Sequence, residues 1–383
     1  MKILYLIKSF ANKAGTERVI SDKINYLAGM GYDITLVTYE QGQHAKAFEL
    51  HPSVRFVDLQ TRFFTIQQLP FYKRLFSFCK LRKLFRVRLQ NLVNEFLPDI
   101  IISTTYSIDL LDVVLSVKTT SVHVVESHVA CFSVKKSYEH IKYPLLWLFR
   151  IYDNYVLGQL RKCHAVVALT EGDALEWRRF NSNVRVIPNP LTYYPKTVCS
   201  QVGTGKRIIC VGRLNKQKGF DLLLEAFSLI EAQCPDWHID IYGDGGEKEF
   251  LDKIVVDKCL NKRVKILAPT SSIYDEYQNS EFLVLSSRYE GFGLVLIEAM
   301  SCGLPCVSFK CKYGPEDIIT HGKDGLLAHD GDVQDLAEQM LWLIQHKEER
   351  IMMGQEARKS ARRYDKEKIM PMWKELFESL VKK

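Results

Sequence analysis

Phe282-Leu283-Val284-Leu285-Ser286-Ser287-Arg288-Tyr289-Glu290-Gly291-Phe292-Gly293-Leu294-Val295-Leu296-Ile297-Glu298-Ala299 reads as strand, turn and helix in immediate succession. The unbroken apolar run Phe282 to Leu285 suits a strand buried on both faces of a parallel sheet. The turn holds Glu290 and two glycines, and a helix is expected from about Leu294, with Glu298 one turn inside it. The N–H groups of Phe292, Gly293 and Leu294 then stand free at a helix start, a place suited to an anion. A carboxylate on each side of an anion site suits hydroxyls, such as those of a sugar or a ribose. The bland alternative makes Glu290 a loop charge and Glu298 a helix-face charge. Paired carboxyls also serve glycosidases, at separations that a sequence does not show.

Outward from that stretch the same alternation repeats. Strands are expected at Lys2 to Ile7, Asp33 to Thr38, Ile100 to Ser103, Ser121 to Glu126 and Ala165 to Leu169. Helices are expected at Thr16 to Gly29, near 107–117 and over 138–162. Pro188, Pro190 and Pro195, followed by Ser200, Gly203, Thr204 and Gly205, mark a linker. Strands resume at Ile208 to Val211, His238 to Tyr242, Val264 to Leu267 and Pro305 to Ser308, and Val333 to Val381 is almost wholly helical. The chain therefore reads as two α/β halves, 1–190 and 206–365 with a linker over 191–205, each a Rossmann-like doubly wound sheet. Such sheets bind ligands at the carboxyl ends of their strands, so a substrate is expected in a cleft between the halves.

Composition narrows the class. With 383 residues, 47% apolar and 25% charged, the chain is an ordinary globular one rather than disordered, collagen-like or coiled-coil. No apolar stretch approaches the roughly 20 residues of a spanning helix. Met1 to Ile7 reads as a first strand, not a signal peptide. The ten cysteines are scattered without a Cys-x-x-Cys pair, and Cys302, Cys306 and Cys311 are not spaced as a zinc finger. A cytoplasmic protein without disulfides or structural metal is the expectation.

Charge is uneven. Residues 1–190 hold 25 Lys and Arg against 16 Asp and Glu, a net +9, whereas residues 191–383 come to −2. Between Asp58 and Glu95 there is no acidic residue, but there are eight basic ones: Arg62, Lys73, Arg74, Lys80, Arg82, Lys83, Arg86 and Arg88. Phe63, Phe64, Phe71, Tyr72, Phe76, Phe78 and Phe85 are interleaved, and a helical pattern runs from about Gln68 to Phe96. Basic and aromatic residues on an amphipathic helix suit an anionic membrane surface, although a solvated face packed on a core would look similar. Nucleic acid is disfavoured, because no RNP-type, helix-turn-helix or zinc-finger pattern accompanies the charge.

Other motifs follow strand ends. Ala14-Gly15-Thr16-Glu17-Arg18 opens the first helix, where Gly15 lets the backbone approach an anion or simply makes a tight turn. Gly212 and Gly219 bracket Arg213 and Lys218, and two cations in such a loop suit a diphosphate. In Gly243-Asp244-Gly245-Gly246 the glycines permit positive φ and Asp244 is a candidate cap for the next helix. His128 lies just past a strand, where a histidine is either structural or catalytic. Asp330-Gly331-Asp332 is explained by a turn and an N-cap, and no metal is assigned to it.

Taken in order, these pieces resemble the family 4 retaining glycosyltransferases, which have the GT-B fold. The match includes Ala14 to Arg18, Ile187-Pro188-Asn189-Pro190, the Gly212–Gly219 loop, Gly243-Asp244-Gly245 and the Glu290/Glu298 pair as the family's E-x7-E motif. Phe309-Lys310-Cys311-Lys312-Tyr313-Gly314-Pro315 with Asp317-Ile318-Ile319 is similar to a branch that includes bacterial exopolysaccharide galactosyltransferases. That branch typically has glycine where this chain has Ala14.

The resemblance implies a retaining, metal-independent hexosyltransferase without cofactor, using a nucleotide-sugar donor, with UDP-galactose favoured and a UDP-N-acetylhexosamine next. Arg213 and Lys218 would hold the diphosphate, Glu290 the donor sugar's hydroxyls and Glu298 the ribose. The backbone at Gly243, Phe292, Gly293 and Leu294 would add to the donor site, Gly15 and Thr16 would approach the phosphate, and His128 would sit beside the sugar. Residues 366–383 would return to the N-terminal, acceptor-binding domain. A lipid-linked glycan acceptor in surface polysaccharide synthesis, at the inner face of the cytoplasmic membrane, joins this reading to the basic helix. A sugar-nucleotide 2-epimerase, a pyridoxal-phosphate glycan phosphorylase and an idle binding subunit are the competing readings.

Overall fold

The computed structural model describes residues 1–12, 14–136, 146–196 and 205–382. Internal contacts divide the chain into two units, Met1–Pro188 with Ile369–Lys383, and Asn189–Lys368.

In the first unit a parallel sheet is built from β1 (Lys2–Leu6), β2 (Asp33–Thr38), β3 (Arg55–Asp58), β4 (Ile100–Thr104), β5 (Val122–Glu126), β6 (Ala165–Ala168) and β7 (Val184–Val186). Their order is β3-β2-β1-β4-β5-β6-β7. Ile3 pairs with Ile34 on one side and Ile100 on the other, and Ile100 in turn with Val122. β4 and β5 are buried along their whole length, as a strand covered by helices on both faces must be. In the second unit the strands are β8 (Arg207–Val211), β9 (His238–Tyr242), β10 (Val264–Leu267), β11 (Phe282–Leu285), β12 (Cys306–Phe309) and β13 (Gly325–Ala328), in the order β10-β9-β8-β11-β12-β13. Each unit is thus a doubly wound Rossmann-like sheet, as the alternation predicts.

In such an order the chain turns to opposite sides after the two central strands, and the crevice for a ligand opens there. The central pairs are β1 with β4 and β8 with β11. The loops leaving them carry Gly15 and Tyr106 in the first unit, and Lys218 and Glu290 in the second.

Three strands were not anticipated: β3, β7 and β13. Each lies at a sheet edge and is short; β3 and β7 carry an arginine, and β13, though apolar and buried, is only the four residues Gly325–Ala328 opening on a glycine, so none stood out as a strand. The expected 107–117 helix is a 3₁₀ segment, Thr105–Leu110, followed by a helix over Leu111–Leu115. The 138–162 helix is seen as Leu146–Gly158; the rest of its first turns, and positions 197–204 of the expected linker, lie outside the described residues.

The last helix, Lys366–Val381, belongs to the first unit over Ile369–Lys383. It buries Ile369, Met370, Trp373, Leu376 and Phe377, a stripe at spacings of three and four, against Ile3, Tyr5, Ile24, Leu27 and Ile34. The return of the C-terminus to the N-terminal domain is therefore present.

Candidate active site

In the second unit the loop after β8 is held against the end of β11. Gly219 has φ 60°, and a Cβ there would come within 2.1 Å of the Ser286 carbonyl oxygen, so only glycine fits. Ser286 Oγ donates to the Lys218 carbonyl at 3.1 Å, and Lys218 N donates to Asn215 Oδ1 at 3.2 Å. These bonds aim the lysine. Lys218 Nζ donates to Glu290 Oε1 at 2.6 Å, and Ser287 Oγ donates to the same oxygen at 2.6 Å. The Glu290 side chain is 7% exposed and that of Lys218 18%. Backbone bonds anchor the carboxylate from both sides: Glu290 N donates to Lys312 O at 2.8 Å, and Tyr313 N donates to Glu290 O at 2.9 Å. Arg213 shares the loop but is exposed and makes no ion pair among the described residues.

The turn after β9 braces this loop from behind, with Leu214 N donating to Asp244 O at 2.8 Å and Glu247 N donating to Leu214 O at 3.1 Å. Two expectations change here. Gly243 does not have a positive φ; it is required because a Cβ would lie 2.0 Å from the Gly212 carbonyl oxygen. Asp244 does not cap the next helix, which begins at Lys248 after an N-cap at Glu247; its Oδ1 accepts from Gly245 N at 2.8 Å. Asp332 does cap, accepting from Asp335 N at 3.1 Å.

Leu294–Ser301 forms the helix expected after β11. Phe292 is buried and packs edge-on against Tyr364, with ring centroids 5.5 Å apart. Glu298 is buried in this helix and accepts from Tyr277 OH at 3.2 Å. Tyr277, wholly buried on the helix Ile273–Gln278, carried no mark in the sequence.

In the first unit the candidates converge through a residue the sequence did not single out. Gly15 and Thr16 open the helix Gly15–Gly29. Ala14, at φ −105° and ψ 168°, is extended backbone that needs no glycine. Thr16 Oγ1 is 3.4 Å from Tyr106 OH, and the Tyr106 ring lies nearly parallel to that of His128, at 10° with centroids 6.3 Å apart. His128 N donates to Thr105 Oγ1 at 3.1 Å. The loop that carries His128 is tied to Asp173, whose Oδ1 accepts from Cys131 N at 2.7 Å and whose Oδ2 accepts from Trp177 Nε1 at 2.7 Å. Burial pushes the Asp173 carboxyl up to about 6, against the lowering effect of these bonds.

Behind His128 lies a buried charge pair. Lys23 Nζ is bound to both carboxylate oxygens of Glu126 and to Tyr5 OH at 3.0 Å, and Tyr5 OH also donates to Glu126. Lys23 and Glu126 are each 1% exposed. Burial alone would raise the Glu126 pKa, but the Lys23 ammonium, with His128, outweighs it and holds the group at about 2. Lys23 sits on the buried stripe Val19, Ile20, Lys23, Ile24, Leu27, which the spacing in the sequence already contained.

Similarity to known proteins agrees with this construction. Residues 14–192 match the family described as Glycosyltransferase Family 4, and residues 200–360 match Glycosyl transferases group 1. The chain belongs to glycosyltransferase family 4. Among its relatives are an uncharacterised glycosyltransferase of Haemophilus influenzae, 28% identical over 97% of this chain and 99% of the relative, and the amylovoran biosynthesis glycosyltransferase AmsD of Erwinia amylovora, 26% identical over 98% and 99%. Anabaena HepE, solved in complex with UDP and glucose, shares the GT-B fold at a TM-score of 0.75 and 21% identity, over 99% of this chain and all of that one.

In this glycosyltransferase the basic segment is a 3₁₀ turn, Phe63–Gln68, followed by one long helix, Phe71–Phe96. Its residues divide. Phe85, Leu89, Leu92, Val93 and Phe96 enter the core; Phe63 packs edge-on against Phe78, Phe85 and Tyr39, and Phe85 against Tyr39. Arg82 pairs with Asp112 and lies 5.4 Å above the Phe78 ring, while Arg88 donates to the carbonyls of Leu59 and Gln60 at 2.5 and 3.0 Å. Those two guanidiniums are structural, which corrects their inclusion in a membrane face. Arg74 donates to the Leu69 and Gln67 carbonyls at 2.9 and 3.1 Å, and Arg86 reaches Ser116 O at 3.4 Å, yet both are exposed. Lys73, Lys80 and Lys83 are exposed too, beside Tyr72, Leu75 and Phe76, which are 75%, 73% and 75% exposed. Among the described residues no helix is long and apolar enough to cross a membrane.

Proposed function

We propose that the enzyme transfers a hexose from a UDP-sugar, with retention of anomeric configuration, to a hydroxyl of a lipid-linked oligosaccharide in bacterial surface polysaccharide synthesis. Galactose is the favoured sugar and an N-acetylhexosamine the next. The observation that carries this reading is the Lys218–Glu290 pair at the switch point of the second sheet, where a cation for phosphate and a carboxylate for hydroxyls are held side by side. The name of AmsD supports the polysaccharide setting, and the UDP in HepE supports the donor class.

We assign the diphosphate to Lys218 and Arg213, the sugar hydroxyls to Glu290, the ribose to Glu298, and further donor contacts to the backbone at Gly243, Phe292, Gly293 and Leu294. Gly15, Thr16 and His128 are the first unit's contribution. In the step itself, the acceptor oxygen bonds to the anomeric carbon on the face from which UDP departs. The bond from that carbon to the β-phosphate oxygen breaks, and the acceptor proton passes to a departing phosphate oxygen. Negative charge grows on the phosphate, so fixed cations there stabilise the transition state more than the ground state. Charge compensation by Arg213 and Lys218 takes the place of a metal ion in this scheme.

The exposed Tyr72, Leu75 and Phe76 among Lys73, Arg74, Lys80, Lys83 and Arg86 supply apolar insertion and positive charge together, which suits an anionic membrane carrying the acceptor. The deciding experiment is donor binding and slow hydrolysis across UDP-galactose, UDP-glucose, both UDP-N-acetylhexosamines and GDP-mannose, with Glu290→Ala alongside. One UDP-sugar bound and hydrolysed, and lost in Glu290→Ala, supports the reading. Binding of none of them overturns it.

A further inference from the structure

We infer that Glu126 is a positioning residue for His128: it holds the proton of the imidazole on Nε2 and so presents Nδ1 to the donor. The inference rests on the placement of His128 beside the donor sugar proposed above.

His128 Nε2 is buried without a hydrogen-bond partner, and the polar atom in front of it is Glu126 Oε1, at 3.5 Å. A nitrogen lone pair facing a carboxylate is repelled, whereas an N–H in the same place is attracted. The contact therefore selects the Nε2–H tautomer, and a shift of a few tenths of an ångström turns it into a hydrogen bond. The other nitrogen, Nδ1, is then the atom left to meet a ligand. A histidine oriented through one nitrogen so that the other can act is a general way of tuning such a group.

The carboxylate is built to stay anionic. Lys23 spans both its oxygens and Tyr5 OH donates to it, while the Lys23 ammonium is covered by the Trp373 ring, 4.0 Å away on the C-terminal helix. A buried ion pair of this kind is a poor device for stability alone, since a well-packed apolar pair is often as good. Here its third neighbour is a candidate active-site imidazole. Glu126 ends β5 and His128 follows two residues later, on backbone held by Ser127 N donating to Val167 O at 2.8 Å and His128 N donating to Thr105 Oγ1 at 3.1 Å.

Long-range 15N–1H spectra of the histidine side chains, assigned with His128→Ala, read the tautomer directly and need no donor. The wild type is expected to show His128 protonated at Nε2, and Glu126→Gln to lose that preference. A wild type protonated at Nδ1 overturns the inference, even if every Glu126 variant fails to fold. The charge-matched Lys23→Met/Glu126→Gln variant is the second, folded test, with circular dichroism as its check. With UDP-galactose as probe, Glu126→Gln is expected to lower kcat for UDP release roughly ten- to hundredfold with little change in KM, and to have no further effect in a His128→Ala background. An equal loss in that background shows that Glu126 does not act through His128 and overturns the inference. Full turnover by His128→Ala instead defeats the placement of His128 at the donor, and the spectra report the tautomer either way.

Discussion

Lys218 and Glu290 stand 72 positions apart in the sequence and meet at 2.6 Å, because Gly219 lets the first loop touch the second. In the donor site proposed above, a diphosphate would meet a cation whose charge this carboxylate already partly balances, and Ser287 donates to the same carboxylate oxygen.

Removing Lys218 and removing Arg213 should therefore differ. Each variant to Ala is expected to lose about 10²- to 10³-fold in kcat, the usual effect of deleting one group that stabilises transition-state charge. Arg213→Ala should leave the urea midpoint unchanged, since the side chain is exposed and unpaired among the described residues. Lys218→Ala strips a mostly buried carboxylate of its partner, and its midpoint should fall. Turnover of UDP-sugar measured with urea titrations separates the two; wild-type turnover in either variant removes that residue from the mechanism.

Gly243→Ala is expected to destabilise the second unit by more than about 2 kcal/mol, because the new methyl meets the Gly212 carbonyl and the Gly212–Gly219 loop must move. Gly246→Ala, three positions on, meets nothing within 4 Å and should stay within about 0.5 kcal/mol of wild type. Chemical denaturation of both variants tests the contrast. Equal midpoints would mean that the turn after β9 is not braced against Gly212.

Much of this was legible in the sequence, for a physical reason. Interior strands of a parallel sheet are rich in apolar residues, and Asp33–Thr38, His238–Tyr242 and Phe282–Leu285 are found with the expected boundaries, as is the edge strand Val264–Leu267, marked by Val264, Ile266 and Leu267. Another edge strand, Arg55–Asp58, left no signal. The candidate site residues stood out by type and by position after strands, but their pairing did not. Nothing local says that Lys218 reaches Glu290, or that Tyr106 stands between Thr16 and His128. Lys23 was half visible: its place on an apolar stripe marks a buried charge, yet its partner lies 103 positions away.

Asp173 gives a pH signature. Its pKa is raised by burial from 3.8 to about 6 in the folded protein, so between those values the folded state binds the proton and the unfolded state does not. Stability from this group is present in full below the unfolded value and is lost as pH rises through about 6. Relative to Asp173→Asn, the wild type should lose about 2 kcal/mol between pH 4.5 and 7.5 at 1.36 kcal/mol per pKa unit. Urea titrations of both proteins across that range check the sign. A difference that stays flat or grows with pH would show that the bonds from Cys131 N and Trp177 Nε1 outweigh burial.

The membrane reading can be tested without disturbing the core, because the helix Phe71–Phe96 keeps its core-facing residues apart from its exposed ones. Lys73, Lys80 and Lys83 are exposed and make no ion pair among the described residues, whereas Arg82 holds Asp112 and Arg88 holds the Leu59 carbonyl. Lys73→Glu/Lys80→Glu/Lys83→Glu should fold normally and lose most sedimentation with anionic liposomes, since each basic residue at such a surface contributes about 1 kcal/mol and each reversal also adds repulsion. Tyr72→Ser/Phe76→Ser should weaken binding while leaving its salt dependence intact. Salt and charge reversal then report the electrostatic part, and the aromatic pair reports insertion. Sedimentation unchanged by charge reversal and by salt would mean that the helix face is only solvated and the acceptor is reached in some other way.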